Sequence, residues 1–312
     1  MQTFSSLEAA ASSGALRGSA VCLGNFDGVH LGHQALFARA ATFGPVVAVT
    51  FEPHPGKVLQ PELAPRLIAT KERKLELLAQ AGVDATIVHP FTREFSRTTP
   101  QAFEALLFDA LGAKAVVVGA DFTYGSKRAG SVGSLGEAAA ARQAVVSIVS
   151  PVTVEGVVVS SSRVREYVLE GRVEAAARLL GRPFDLSGVV VKGQQRGRTI
   201  GFPTANVDTP NELRPAPGVY AIVATLPGGA VHGGACNLGV KPTFGGDAVT
   251  IECNLFDFPA AGQGGDLYGQ TLRVAFLERL RPEQRFAGLE ALKAQIERDV
   301  VAARAIVNRH RG

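Results

Sequence analysis

Two domains of different class are predicted: an open α/β domain with a parallel sheet, then a small antiparallel β-domain carrying a terminal helix. Three observations predict them. The chain has 312 residues, and domains average about 150 residues. Between Ala20 and about Val159 short apolar runs alternate with helical patterns, and after Pro183 the β signals follow one another without helices between them.

In the first half the alternation runs AVCLG (20–24), HLGHQALFARAA (30–41), VVAVTF (46–51), TKERKLELLAQAG (70–82), ATIV (85–88), PQAFEALLFDALG (100–112), AVVVG (115–119), SLGEAAAARQA (134–144) and VVSIVSPV (145–152). Strands apolar on both faces need a layer on each side, which points to a parallel sheet covered by helices. Two further helices are expected over Ser162–Glu170 and Val173–Leu180, and the pattern changes at Gly181-Arg182-Pro183. The domains are therefore drawn as 1–183 and 184–312. In the second, LSGVVVKG, GVYAIVATL, AVHGGACNLG, VTIECNLFDF and QTLRVAFLERL are separated by Pro, Gly and Asp, and Pro282–Arg309 reads as helical. Consecutive turn-punctuated strands imply an antiparallel sandwich or a small closed barrel.

Composition narrows the function. At 46% hydrophobic and 19% charged residues the chain can fill real cores and is not a disordered segment. A formal charge of +4 suits small phosphorylated ligands and falls short of a nucleic-acid-coating tail. There is no tryptophan and only four tyrosines, so interleaved aromatic and basic platforms for RNA are lacking and no nucleic-acid partner is expected. No run reaches the roughly 18 apolar residues of a membrane span, and the N-terminus lacks a signal-peptide pattern. A cytoplasmic protein with no membrane partner is expected. Cys22, Cys236 and Cys253 are odd in number and without a CxxC, so they are expected as reduced, buried thiols. The sequence assigns no oligomeric state.

The most informative segment is Gly24-Asn25-Phe26-Asp27-Gly28-Val29-His30-Leu31-Gly32-His33, running from the first buried strand into the first helix. Helix N-termini at the carboxyl ends of parallel strands offer free N–H groups to phosphates. Three residues apart on a helix, His30 and His33 share a face, and their donors could reach adjacent oxygens of one polyphosphate. Gly32 would let a ligand approach the backbone. Zinc is the alternative for paired histidines, but no third ligand stands at a recognised spacing. Asp121, Phe122 and Tyr124 follow another buried strand and read either as contacts to a bound ligand or as loop packing. His89, ending a strand, reads as structural.

In the second half, Gly193-Gln194-Gln195-Arg196-Gly197-Arg198 approaches Pro203-Thr204-Ala205-Asn206. Backbone N–H groups and guanidinium forks complement polyphosphate, which makes this a candidate phosphate flap. Thr204 and Asn206 alternate around Ala205, so both oxygen-bearing side chains point the same way, where they could meet a magnesium-bound nucleotide. Cys253 would face the opposite side of the sheet from Glu252.

The HxGH segment resembles the signature of the nucleotidyltransferase superfamily. Together with Thr50-Phe51-Glu52-Pro53-His54-Pro55, Gly119-Ala120-Asp121-Phe122-Thr123-Tyr124-Gly125 and Ser160-Ser161-Ser162-Arg163-Val164-Arg165, it is similar to the adenylyltransferase half of bacterial bifunctional riboflavin kinase/FAD synthetases. GxPTAN, Pro217-Gly218-Val219-Tyr220, the Asn237–Phe244 run, Glu252, Leu267-Tyr268-Gly269 and Leu280-Arg281-Pro282 occur in riboflavin-kinase order. The resemblance implies a Rossmann-like first domain in which His30 and His33 bind ATP phosphates and stabilise charge at the α-phosphorus. It implies that Gly24, Phe26, Asp27 and Gly32 line that ATP site and that Ser161, Ser162 and Arg163 hold the triphosphate from the opposite side. Ser162 stands where the family usually has threonine, and the hydroxyl is kept. In the second domain Gly193, Arg198, Thr204 and Asn206 would hold Mg–ATP, with Thr204 and Asn206 on the Mg²⁺, Glu252 would be the base for the ribityl 5′-hydroxyl, and Arg281, like Asp121 and Phe122, would contact flavin. The implied reactions are phosphorylation of riboflavin to FMN and adenylylation of FMN to FAD with release of pyrophosphate, ATP being co-substrate in both. A transferase for pantetheine phosphate or a cytidylylated alcohol is the rival, and it has no use for Thr204, Asn206 and Glu252.

Overall fold

The structure is a computed structural model that describes residues 1–193, 202–243, 246–259 and 266–311. The chain divides into two compact units, Met1–Ser161 and Ser162–Gly312. The first contains, in order, β1 (Gln2–Phe4), α1 (Leu7–Ser13), β2 (Ala20–Leu23), α2 (Leu31–Ala40), β3 (Val46–Glu52), α3 (Pro55–Leu59), α4 (Lys71–Gln80), β4 (Ala85–Pro90), α5 (Pro100–Glu104), β5 (Ala115–Gly119), β6 (Thr123–Tyr124), β7 (Gly130–Ser131), α6 (Val132–Ala140), β8 (Val145–Val149), β9 (Thr153–Val154) and β10 (Val157–Val158). Six strands form one sheet in the order β1-β4-β3-β2-β5-β8, every pair parallel.

Alternation along these strands feeds two cores, as a sheet buried on both faces requires. Val21, Leu23, Val47, Val49, Val116 and Val118 pack with Leu7, Phe103, Leu107 and Leu135. Ala20, Cys22, Val46, Ala48, Ala115 and Val117 pack with Phe37, Ala40, Leu77 and Leu78. The chain runs from β2 outward to β3 on one side, then returns to place β5 on the other. The carboxyl ends of β2 and β5 thus flank the switch point, where ligands bind in open α/β sheets. The helix expected over 100–112 ends as α5 at Glu104 and continues as a wider π-helical turn, Ala105–Ala110.

Helix α7 (Ser161–Leu169) starts on the last residue of the first unit, and the second unit goes on through α8 (Val173–Leu180), β11 (Phe184–Val191), β12 (Ala205–Asp208), β13 (Gly218–Thr225), β14 (Val231–Thr243), β15 (Gly246–Leu255) and β16 (Thr271–Arg281) to α9 (Leu289–Arg311). The strands close as β11-β12-β15-β14-β13-β16, which decides between sandwich and barrel. The compact units divide before the change of element type because α8 packs against β11 and β16. The last helix starts at Leu289, not at Pro282: the carbonyl of Gly288 accepts its opening bond, from the Leu292 N–H, and 282–288 has no regular secondary structure. Helix α9 lies on the outside of the barrel through Ala303, Ile306 and Val307, against Ala221, Ala235, Phe256 and Leu277. Gly233 permits this approach, since a Cβ there would stand 2.6 Å from Val307 Cγ1.

Candidate active sites

In the first unit, the loop after β2 turns into α2 through residues in unusual conformations. Phe26 and Val29 have φ of 48° and 44°, a costly region for a non-glycine and most of all for a β-branched residue. Gly28, at φ 82°, faces Ile68 so closely that a Cβ would stand 2.9 Å from its Cγ2. The carboxylate of Asp27 is buried and accepts the N–H groups of Ile68 at 3.0 and 3.1 Å and of Ala69 at 3.3 Å, which anchors the loop. The Phe26 ring is buried against His33 and Phe37.

His30 caps α2: its Nδ1 accepts the backbone N–H of His33 at 3.3 Å. A nitrogen that accepts carries no proton, so the neutral ring holds its hydrogen on Nε2. The His33 ring stacks on it with centroids 3.6 Å apart and planes 15° apart. Burial, then His30, then the Lys74 ammonium hold the His33 pKa well below the ordinary imidazole value, so the ring is neutral. Its Nδ1 is buried with no protein hydrogen-bond partner. Gly32 leaves room for this stack, a Cβ there lying 3.2 Å from the His30 ring. Gly24 is similarly close to Phe26 Cε1, at 3.0 Å.

Ser161, the first residue of α7, donates its hydroxyl to the Asp27 carbonyl at 3.0 Å, tying it to the HxGH loop. Ser162 and Arg163 open the second unit, and Arg163 pairs with Glu166 at 2.6 Å. Asp121 is exposed after β5, with Phe122 stacked on Tyr124 at 5.8 Å. The Tyr124 hydroxyl donates to Glu104 at 2.5 Å, and burial and that bond push its pKa up to about 12. His89 is buried and accepts the Leu7 N–H on Nδ1.

The barrel builds its site on regular strands. In the register, Asn206 of β12 and Asn237 of β14 both stand opposite Glu252 of β15. Directly paired residues share a face with Cβ atoms about 5 Å apart, so amide, carboxylate and amide form a row. The neighbours Ile251 and Cys253 point inward and are buried, the Cys253 and Cys236 sulfurs lying 3.4 Å apart as free thiols. On the outer face a cavity of about 370 Å³ is lined by Thr204, Asn237, Glu252, Asn254 and Arg281 on its polar side and by Val219, Phe286, Leu292 and Ile296 on its apolar side. Asn254 Nδ2 donates to the Pro203 carbonyl at 2.8 Å, fixing the approach to Thr204. Gly193 lies against the Asn206 amide, where a Cβ would collide with it. Arg198 lies outside the described residues.

Arg281 reaches the cavity with its fork already engaged, Nε and Nη2 donating to Asp299 at 2.8 to 3.1 Å. Gln295 donates to the same carboxylate at 2.8 Å. Asp299 and Lys74 escape a motif search, and Asn237 is legible only as part of a motif run, with no role of its own. A signal for Lys74 and Asp299 exists all the same: Lys74 shares a helix face with Leu77 and Leu78, and Asp299 with Ile296 and Ala303, so each is a charge on an apolar stripe.

Fold and sites together define a transferase with two separate nucleotide-handling halves. The FAD synthetase family matches residues 12–163 and the riboflavin kinase family residues 180–307. The chain belongs to the bifunctional riboflavin kinase/FMN adenylyltransferase family, with the FAD synthetase domain first and the riboflavin kinase domain second. The relative from Pseudomonas fluorescens is 40% identical over 297 residues, 93% of each chain, and the one from Escherichia coli K12 is 38% identical over 293 residues, 92% of each. A crystal structure of a Streptococcus pneumoniae protein described as a macrolide-efflux protein superposes with a TM-score of 0.83 at 34% identity, covering 91% of this chain and 92% of that one. Among the described residues no helix is long and apolar enough to cross a membrane.

Proposed function

We propose that the chain makes FAD from riboflavin in two steps at two sites: phosphorylation at Glu252 in the barrel and adenylylation at His30 and His33 in the α/β unit. The observation that carries this reading is that the central members of each motif set gather within one compact unit. His30, His33 and Ser161 meet around one loop, and Thr204, Asn206 and Glu252 meet at one face of the barrel. We draw the functional boundary at 183/184, where the helices give way to the barrel.

In the barrel the apolar wall of the cavity accepts the flavin ring system, and the ribityl chain runs toward the polar row. Glu252 takes the proton of the terminal hydroxyl as its oxygen attacks the γ-phosphorus of ATP and ADP departs. Mg²⁺ fits the oxygen donors of Thr204 and Asn206, because this ion takes few protein ligands and completes its shell with phosphates and water. When bound it neutralises charge on the polyphosphate. Arg281 lies at the cavity as a flavin contact, and Gly193 and Arg198 are assigned to binding the nucleotide.

In the first unit the FMN phosphate attacks the α-phosphorus of a second ATP and pyrophosphate leaves. The Nε2–H of His30 and the N–H of His33 donate to phosphate oxygens as charge develops, in a partly dry site where such donors act strongly. Ser161 supplies a hydroxyl donor beside this loop, and the family resemblance assigns further donors to Ser162 and Arg163. Gly24, Phe26, Asp27 and Gly32 shape the loop, while Asp121 and Phe122 are the flavin-side contacts. The three free thiols suit the reducing, ATP-supplied cytoplasm.

The test is chromatographic resolution of products from purified full-length protein supplied with ATP and Mg²⁺. With FMN as substrate, His33→Ala is expected to abolish FAD formation, while its conversion of riboflavin to FMN persists. Glu252→Ala is expected to lose FMN formation and to keep making FAD from supplied FMN. Loss of both activities in either folded variant would contradict two separate sites.

A further inference from the structure

We propose that Lys74 is a positioning residue for adenylyl transfer, holding the Asn25 end of the 24–30 loop and placing its charge near the His33 imidazole without touching nucleotide. The inference rests on the reading that His30 and His33 bind the triphosphate. Lys74 is only 7% exposed on the core face of α4. A buried ammonium is costly unless it is paired, and a leucine or methionine would fill the space without that cost. The charge therefore needs a reason, and its partners supply one.

The Nζ of Lys74 donates to Thr50 Oγ1 at 3.2 Å and to the Asn25 carbonyl at 3.5 Å, and Thr50 donates to that same carbonyl at 3.0 Å. Asn25 immediately precedes Phe26, the first of the two left-handed non-glycine residues. A cation and a hydroxyl thus grip the loop where its backbone departs from a relaxed conformation, and strain of this kind persists only when the surroundings over-determine it. The charged groups around Lys74 are Glu52 on β3, Asp27 in the loop and Lys71 on its own helix. Burial lowers the lysine pKa, and the two carboxylates oppose that shift.

The groups acting on His33 are His30 and Lys74. Both disfavour the imidazolium, so the lysine charge helps keep His33 a neutral ring. Two separable effects follow, a tether on the loop and a field on the imidazole. Glutamine at 74 removes the charge, whereas arginine keeps the charge and misplaces the donors.

The experiment measures kcat/KM for FAD formation from FMN and ATP against pH in the full-length protein, with riboflavin phosphorylation by the same molecules as an internal control. Lys74→Gln is expected to lose roughly 10- to 100-fold, the cost of small displacements in a catalytic constellation, and to move the acid limb of the profile to higher pH. Lys74→Arg is expected to lose activity with the acid limb unmoved, and FMN formation should be unchanged in both. A Lys74→Gln protein whose acid limb stays in place overturns the field on His33. A Lys74→Arg protein indistinguishable from the parent overturns the tether, and it decides the matter should Lys74→Gln not fold. A His33→Ala arm that still makes FAD would instead sink the assignment of the triphosphate site.

Discussion

The two sites solve the same problem, presenting donors to a triphosphate, on opposite kinds of scaffold. The first sits in a loop between β2 and α2, where left-handed residues and stacked imidazoles are held by buried side chains from elsewhere: Asp27 on Ile68 and Ala69, Lys74 on Asn25, and His30 on its own helix. The second sits on paired strands, where register alone puts Asn206, Glu252 and Asn237 in a row. A loop site needs bespoke supports and a strand site inherits its geometry from the ladder. The loop site should therefore be sensitive to charges behind it, and the strand site to anything that intrudes on the row.

The largest test of that contrast is Gly193→Ala. The new methyl group would enter the space of the Asn206 amide, and displacing a metal–nucleotide ligand by an ångström is expected to cost on the order of 100-fold in kcat for FMN formation. Steady-state kinetics with riboflavin should show this loss, with FAD formation from FMN intact. Equal kinase rates in the variant and the parent would mean that Asn206 does not act at this site.

Next in size is the pair behind Arg281. With side chains 17% and 8% exposed, Arg281 and Asp299 resemble a buried ion pair, and removing one partner of such a pair typically costs about 3 kcal/mol. Asp299→Ala should lower the denaturation midpoint of the barrel unit and raise KM for riboflavin more than it lowers kcat, because it loosens a wall of the cavity. An unaltered midpoint would show that Arg281 finds another partner.

The same contrast explains what was legible in the sequence. Strand and helix positions followed from apolar periodicity, and HxGH was readable because its four residues are contiguous and sit where a strand meets a helix. Glu252 stood out only through family resemblance, since an alternating TIECNL strand looks like any solvated face until its neighbours are known. Lys74 with Asn25, and Arg281 with Asp299, lie 49 and 18 residues apart, and nothing local announces such pairs. The late start of α9 was also hidden, because 282–288 carries no helix breaker after Pro282 except Gly288, which opens the helix instead.

The smallest expected effect separates the units by pH. Unfolded histidines titrate near about 6.5, whereas burial first of all holds His33 and His89 below that value in the folded first unit. As pH falls through about 6.5 the unfolded chain takes up protons that the folded unit refuses, so stability declines, by at most about 1.4 kcal/mol per pH unit for each such histidine. Besides Arg304, raised by its hydrogen bond to Asp257, the shifted groups among the described residues of the barrel unit are Tyr220, pushed up to about 12 by burial, and the buried Cys236 thiol, also pushed up. The tyrosine and the thiol weaken folding only on the alkaline side, where the unfolded forms release protons first. Calorimetry of the full-length protein at pH 7.5 and 5.5, with each transition assigned by the activity it abolishes, should show the FAD-forming unit moving to lower temperature on acidification relative to the kinase unit. A shift confined to the kinase transition would reverse the assignment of acid sensitivity to the buried imidazoles.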